Sequence, residues 1–306
     1  MNRTFRRTVI SVVALLTTAG CVGGPEGDTP VTYPEPLVFS ETPSGFTDVP
    51  LIHTQAVLKM LSKETGRTIR AQLGSDYDAV IDGMSSGTID IGAISPFSYV
   101  RAKRQNPAII PVAAQTTERG QEPGYRSYGI VRAGSPIKRL EDLRGRRVCF
   151  VDDDSTSGYV YPSAALLELG IRPLEDTVPI FKVDHEAVIN AVVDNQCDAG
   201  FAYDTMVDRT LVERGRLQPG QIEIFWRSAL IPGALMVISE TVPADVRQQL
   251  ITAIQDKANS DYLRANGFCQ GECPISDANA YAYTEVQDSV YDSVRNVCRR
   301  VQLKTC

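Results

Sequence analysis

Three consecutive hydroxyl residues, Ser155, Thr156 and Ser157, follow Asp152, Asp153 and Asp154 and precede Gly158. The surrounding pattern predicts that a strand over Arg147 to Val151 hands over to a helix at this point. Such a turn can hold an oxyanion. The first N–H groups of a helix lack intrahelical partners and the macrodipole is positive there, so exposed amides bind phosphate-like groups and the hydroxyls add donors. Ser and Thr are also ordinary N-caps, and capping accounts for one of the three without a ligand. The three acids with His185 raise a further possibility, a metal-assisted phosphohydrolase. Adjacent acids in a turn are expected to project in different directions, however, and no second histidine or nucleophile elbow accompanies them. The chain has two histidines, His53 and His185. We therefore expect no catalytic residue, metal or cofactor.

The elements that would position this turn are legible as short β-type runs alternating with helical patterns. LVFS precedes a helix over Val49 to Thr65, TIRAQL one over Asp76 to Ser86, and IDIGAI one over Phe97 to Arg104, with IIPVAAQ closing the series. A second series runs through RSYGIVR, RVCFV, a helix over Ala164 to Leu169, TVPIFKV, a helix over Glu186 to Asp194, DAGFAY and a helix over Thr205 to Arg214. IEIFWRSALIPGALMVIS then recrosses, and helices over Ala244 to Asn259 and Ala278 to Arg300 complete the first series. This is an α/β chain of two lobes, each a mainly parallel sheet flanked by helices. The expected boundaries are 37–126 plus 228–306 for the first lobe and 127–227 for the second, joined by two crossover segments.

The N-terminus reads as an export signal over residues 1–20. The basic MNRTFRR precedes an apolar run from Thr8 to Leu16, too short to span a bilayer, and then small residues. Cys21, directly after Thr18-Ala19-Gly20, resembles the lipobox cysteine of bacterial lipoproteins, which is acylated and anchors the mature chain. Thr18 departs from the aliphatic residue usual there, so an ordinary signal with an incidental cysteine is the alternative. Residues 21–36, rich in Gly and Pro, read as a tether. Loss of residues 1–20 removes Arg3, Arg6 and Arg7 and no acid, moving the formal charge from −6 to −9, which argues against nucleic acid as a partner. Of seven cysteines, a lipidated Cys21 leaves six, suiting an oxidising compartment. Cys149 and Cys197 each begin a short apolar run and would fall at equivalent ends of neighbouring parallel strands. We expect the pairs Cys149–Cys197, Cys269–Cys273 and Cys298–Cys306.

Several motifs, in order and at about family spacing, carry a resemblance to the phosphate, phosphite and phosphonate-binding proteins of ABC transporters. They are SDYDAVIDGMSSGTIDIGAISP, PGYRSYGIVRAGSPIKRLEDLRGRRVCFVDDDSTSGYVYP, DHEAVINAVVDNQCDAGFAYD and WRSALIPGALMV. The resemblance implies the hinged two-lobed fold of periplasmic solute receptors, with an oxyanion held by donors from both lobes. It assigns ligand contacts to Tyr77 in SDYDAV, Tyr125 in PGYRS, Ser155, Thr156 and Ser157 in the STSG turn, and His185 in DHEAV. Phenols and hydroxyls donate without charge, and a histidine can become cationic beside an anion.

One departure bears on the ligand. Relatives that bind aminoalkylphosphonates place acids opposite the substrate ammonium, one in a motif like IPGD and another just beyond the equivalent of DAGFAY. Here those positions hold Ala234 and, by ungapped count, Thr205, with Asp204 beside it as a weaker ligand candidate. A buried ammonium without its counter-charge is costly, so phosphate, phosphite or methylphosphonate is favoured. The sequence thus implies an exported, lipid-anchored, monomeric receptor on the outer face of the bacterial cytoplasmic membrane, delivering a phosphorus oxyanion to a permease. A ferric-ion receptor of the same fold, since tyrosines, a histidine and an acid suit a hard metal, and a sensory receptor are the alternatives.

Overall fold

In the computed structural model the described residues are 33, 35–43, 51, 53–271, 273, 275–276 and 279–301. The signal segment 1–20, most of the tether 21–36, Cys21 and Cys306 lie outside them. Two sheets carry the architecture. In the first, β1 (Leu37–Glu41) pairs in parallel with β2 (Ile69–Ala71) and β3 (Ile91–Ile94). Next to β3 comes β12 (Leu235–Ser239), antiparallel to it and to β4 (Ile109–Thr116), and β13 (Ala282–Glu285) closes the order β13-β4-β12-β3-β1-β2. The second sheet has the order β10-β6-β9-β7-β8, built from β6 (Ser127–Arg132), β7 (Arg147–Val151), β8 (Val178–Lys182), β9 (Ala199–Tyr203) and β10 (Ile222–Arg227). β7 is parallel to β8 and β9, whereas β6 is antiparallel to β9 and β10. The sheets are thus mixed, more so than the sequence alternation implies, because the chain leaves and re-enters each sheet without a crossover helix.

Between them lie two short strands, β5 (Gly124–Tyr125) and β11 (Ile231–Pro232), antiparallel to each other with Tyr125 opposite Ile231. They are the two passages of chain between the sheets, and Gly124 leaves room for the Leu230 side chain, whose Cγ would stand 2.9 Å from an added Cβ.

The helices begin where strand-end polar residues cap them. Asp76 accepts from the Ala79 amide ahead of α2 (Tyr77–Ser86), and Asp184 from the Ala187 amide ahead of α5 (His185–Val193). Ser95 accepts from the Ser98 amide ahead of α3 (Pro96–Gln105), with Pro96 at the position where a missing N–H costs nothing. Ser155 accepts from the Gly158 amide at 3.1 Å and opens a wide turn over Thr156–Val160, in which the Val160 amide reaches back to the Ser155 carbonyl, before α4 (Tyr161–Glu168). Wide turns of this kind favour functional sites. Gly158 is required for packing: a Cβ there would meet the Val151 Cγ2 at 2.4 Å.

One apolar cluster reaches from Val80, Ile94, Phe97 and Leu235 on the first sheet's side to Phe150 and Phe201 on the second's. Phe150 stacks on Phe201 at 5.6 Å, and each such fully buried ring contributes about 1.5–3 kcal/mol. Cys149 on β7 is bonded to Cys197, just ahead of β9, with Cα atoms 5.8 Å apart, and Cys269 to Cys273 at 5.9 Å. Cys298 is also disulfide-bonded; its expected partner, Cys306, lies outside the described residues.

One expectation needs correction and another a refinement. The helix foreseen over Ala278 to Arg300 is divided: residues 282–285 form β13, an edge strand with Tyr283 buried and Thr284 and Glu285 exposed, and an α-helix spans only Asp292–Val301. That helix packs on both α3 and α4 and so touches elements of both sheets. The helix foreseen over Thr205 to Arg214 is present, helical without a break from 204 to 213, but its middle, Met206–Thr210, is wound wider than an α-helix.

Candidate functional site: a cavity between helix N-termini

The capped starts of α2, α3, the Ser155 turn and α5 surround one cavity of about 110 Å³. Tyr77, Tyr125, Ser155, Thr156, Ser157 and His185 all line it, as do Ala234 and Thr205. Four helix starts supply amide dipoles of one sign, which suits an anion. Thr156, 1% exposed, accepts from the Phe97 amide at 2.9 Å and donates to the Ser95 hydroxyl at 3.2 Å. It therefore joins the α3 start to the turn after β7. The Ser155 hydroxyl, besides capping, lies 3.3 Å from His185 Nε2. Tyr125 has its phenol beside Ser157 and Thr156, and burial holds its pKa well above the ordinary phenol value. Tyr77, likewise raised by burial, donates to the Pro43 carbonyl at 2.7 Å and lies beside Ser155.

His185 is buried with its ring edge-on to Tyr203, centroids 4.7 Å apart. Its Nδ1 is buried and has no hydrogen-bond partner among the described residues. Burial alone pushes its pKa down to about 3, so the imidazole is neutral here. Asp204 is not among the cavity-lining residues. Its Oδ2 accepts from the Arg126 amide and its Oδ1 from the Thr205 amide, each at 2.8 Å, so both oxygens serve the backbone where the chain crosses between sheets.

The three acids ahead of the turn do not diverge as expected: one carboxylate oxygen from each of Asp152, Asp153 and Asp154 lies within 4.8 Å of the others. The turn folds back on itself, the Asp154 amide bonding Asp152 Oδ1 at 2.9 Å. Asp154 is buried and paired with Arg101 of α3, which also holds Asp78 at 2.8 Å. Asp152 rises to about 6 through burial and then the nearby Asp153, Asp78 and Asp76.

Sequence reasoning missed Ser95, although Ser-Pro after an apolar run is a helix-start signal. It also missed Thr42, Gln115 and Tyr203, all lining the cavity. The Thr42 hydroxyl accepts from the Ser95 amide at 3.2 Å, and Gln115 donates to the Tyr283 hydroxyl at 3.0 Å.

Two mixed α/β sheets joined by paired crossing strands, with an anion-suited cavity at the junction, define a two-lobed periplasmic-type solute-binding protein. Residues 51–280 match the family described as ABC transporter, phosphonate, periplasmic substrate-binding protein. The chain is 36% identical over 302 residues to the phosphate-import protein PhnD of Mycolicibacterium smegmatis, covering 95% of this chain and 94% of that one. It belongs to this family of ABC-transporter substrate-binding proteins. Against the phosphonates-binding periplasmic protein of Escherichia coli it is 29% identical over 193 residues, 60% of this chain and 56% of that one. In fold it is similar to PhnD1 of Prochlorococcus marinus, solved with methylphosphonate, with a TM-score of 0.74, 20% identity, and coverage of 87% of this chain and 97% of that one. The protein is an extracytoplasmic component of an ABC importer of the phosphonate and phosphate class, and the ferric-ion, sensory and phosphohydrolase readings gain no support from these relationships.

Proposed function

We propose that the chain closes its lobes on a phosphorus oxyanion with a small, uncharged substituent, phosphate, phosphite or methylphosphonate, and presents it to the permease. The lobes are taken as 37–126 plus 228–306 and 127–227. The observation that carries this reading is the pairing of hydroxyl and helix-start donors from both sheets with a wall that holds Ala234 and Thr205 where an ammonium would need acids, Asp204 being occupied by backbone amides. Ligand that bridges both lobes makes all its contacts only in the closed form, and that difference in affinity drives closure.

Calorimetric titration with phosphate, phosphite, methylphosphonate and 2-aminoethylphosphonate tests it. Ala234→Asp should weaken phosphate binding and strengthen 2-aminoethylphosphonate binding, the carboxylate repelling one and pairing the other. Preference of the unmodified protein for the aminoalkyl ligand would overturn the reading. The export signal and Cys21 further support a lipid anchor, for which Cys21→Ala should move the protein from membrane to soluble fractions. Unchanged membrane retention would exclude it.

A further inference from the structure

Among the described residues lining the cavity there is no lysine or arginine. One side of it is built from strand ends of the first sheet, taken in spatial order: Gln115 of β4, Ala234 ahead of β12, Ser95 after β3 and Glu41 at the end of β1. We propose that Gln115 reads a hydroxyl on the ligand's substituent, so that the cavity takes hydroxyalkylphosphonates in preference to their alkyl and aminoalkyl counterparts. This rests on the oxyanion reading above and specifies the substituent that it leaves as small and uncharged.

The strand register separates the two ends of the cavity. Ile94 of β3 lies opposite Leu235 of β12, and Leu235 opposite Ala114 of β4. Ser95 and Gln115 each follow by one residue on strands that run the same way. At a strand spacing of about 4.8 Å they stand roughly 10 Å apart, with Ala234 between them. The Ser95 hydroxyl bonds Thr156, so the oxyanion donors gather at the β3 end. A tetrahedral anion gripped there leaves the β4 end to whatever the phosphorus carries.

The Gln115 side chain is held at both tips. Its Oε1 accepts from the Ser276 hydroxyl at 3.3 Å and its Nε2 donates to the hydroxyl of Tyr283, its cross-strand neighbour on β13, at 3.0 Å. Its main-chain amide donates to the Ala234 carbonyl at 2.8 Å, which fixes it beside the position where an acid is missing. A primary amide has two N–H donors and two lone pairs. Among the described residues, Gln115 therefore keeps one of each. A hydroxyl is also donor and acceptor together, and it can use both. An ammonium has donors only, so it would set N–H against N–H. It would also lack a counter-charge, which is costly in a closed cavity. Glu41 carries the only carboxylate among the described lining residues, three strands from Gln115 or about 14 Å away, beyond the oxyanion donors. A plain alkyl tail would leave the amide's groups unpaired once water is expelled.

The test is calorimetry with 2-hydroxyethylphosphonate, ethylphosphonate and 2-aminoethylphosphonate, which share a two-carbon chain, each referred to phosphate on the same sample. The unmodified protein should bind the hydroxyethyl ligand about tenfold or more tighter than either of the others, since a site that pairs a hydroxyl rejects analogues lacking it. Gln115→Leu should abolish the preference for hydroxyethyl over ethyl. Gln115→Glu, which keeps an acceptor for Ser276, should reverse the preference towards 2-aminoethylphosphonate. Thermal melts establish that the variants are folded, and should Gln115→Leu fail to fold, the Gln115→Glu reversal decides alone. Equal affinity of the unmodified protein for the hydroxyethyl and ethyl ligands, or a preference that both variants leave unchanged, overturns the proposal, while phosphate binding in the same samples keeps the oxyanion reading standing. If the unmodified protein binds no phosphorus oxyanion, the oxyanion reading itself fails and takes this inference with it.

Discussion

The Thr156 hydroxyl is engaged twice, accepting from the Phe97 amide and donating to Ser95, so one side chain links the starts of two helices on different sheets. An oxyanion in the cavity would compete for, or extend, that link. Thr156→Ala should therefore weaken ligand binding by about 1.5–3 kcal/mol, the range for hydrogen bonds to charged groups, and cost the unliganded protein about 1 kcal/mol for the stranded amide. Calorimetry and thermal melts on the same samples separate the two, and a large stability loss at unchanged affinity would make Thr156 a structural latch only. The sequence disclosed this turn through its hydroxyl run, and Tyr77, Tyr125 and His185 through family spacing; all six line one cavity. Gln115, Tyr203 and Thr42 were illegible because nothing local marks them: they reach the cavity from strand ends distant in sequence. Asp204 misled because sequence proximity cannot show that both its oxygens face backbone amides.

At the scale of elements, α3 is tied to the turn after β7 by a buried ion pair, Arg101 with Asp154, and to α2 through Asp78. Removing one partner of a buried pair strands the other charge, so Arg101→Ala should lower unfolding free energy by about 3–5 kcal/mol. Replacing both residues, Arg101→Met with Asp154→Leu, should restore most of it, since an apolar pair of similar volume needs no compensation. Chemical denaturation reads both; a loss under about 1 kcal/mol for the single variant would mean that Asp154 finds water or takes up a proton. Periodicity revealed most strands and the helices over 77–86, 96–105, 161–168, 185–193 and 244–257 to within a few residues. It failed at 278–300, where tyrosines at alternate positions serve an edge strand although the surrounding composition favours helix. Mixed strand directions were equally hidden, because burial pattern alone carries no polarity.

For the molecule as a whole, charge is the governing quantity. Asp152 of the second sheet's turn titrates at about 6 because burial is joined by Asp153 and by Asp78 and Asp76 of the α2 start. Its folded value lies above that of an unfolded aspartate, so the folded state holds the proton more tightly. Stability from this group is greatest below about pH 4 and is lost as pH rises towards about 6, remaining reduced above it. Asp152→Asn, whose Oδ1 can still accept from the Asp154 amide, should raise stability at neutral pH and flatten that part of the stability profile. A denaturation series across pH would show the opposite if the cluster were relieved by a bound cation.

The cation-free cavity wall has a kinetic corollary. A receptor of net charge −6, or −9 if residues 1–20 are removed as the sequence leads one to expect, with no lysine or arginine among the described residues at the site, offers an approaching anion no long-range attraction, only dipoles that act within the last few ångströms. Capture begins against a repulsive far field that dissolved ions shield over a Debye length of about 10 Å at 0.1 M salt. Stopped-flow association should consequently quicken as ionic strength rises, the reverse of receptors with cationic mouths, while dissociation from the closed cavity stays nearly constant.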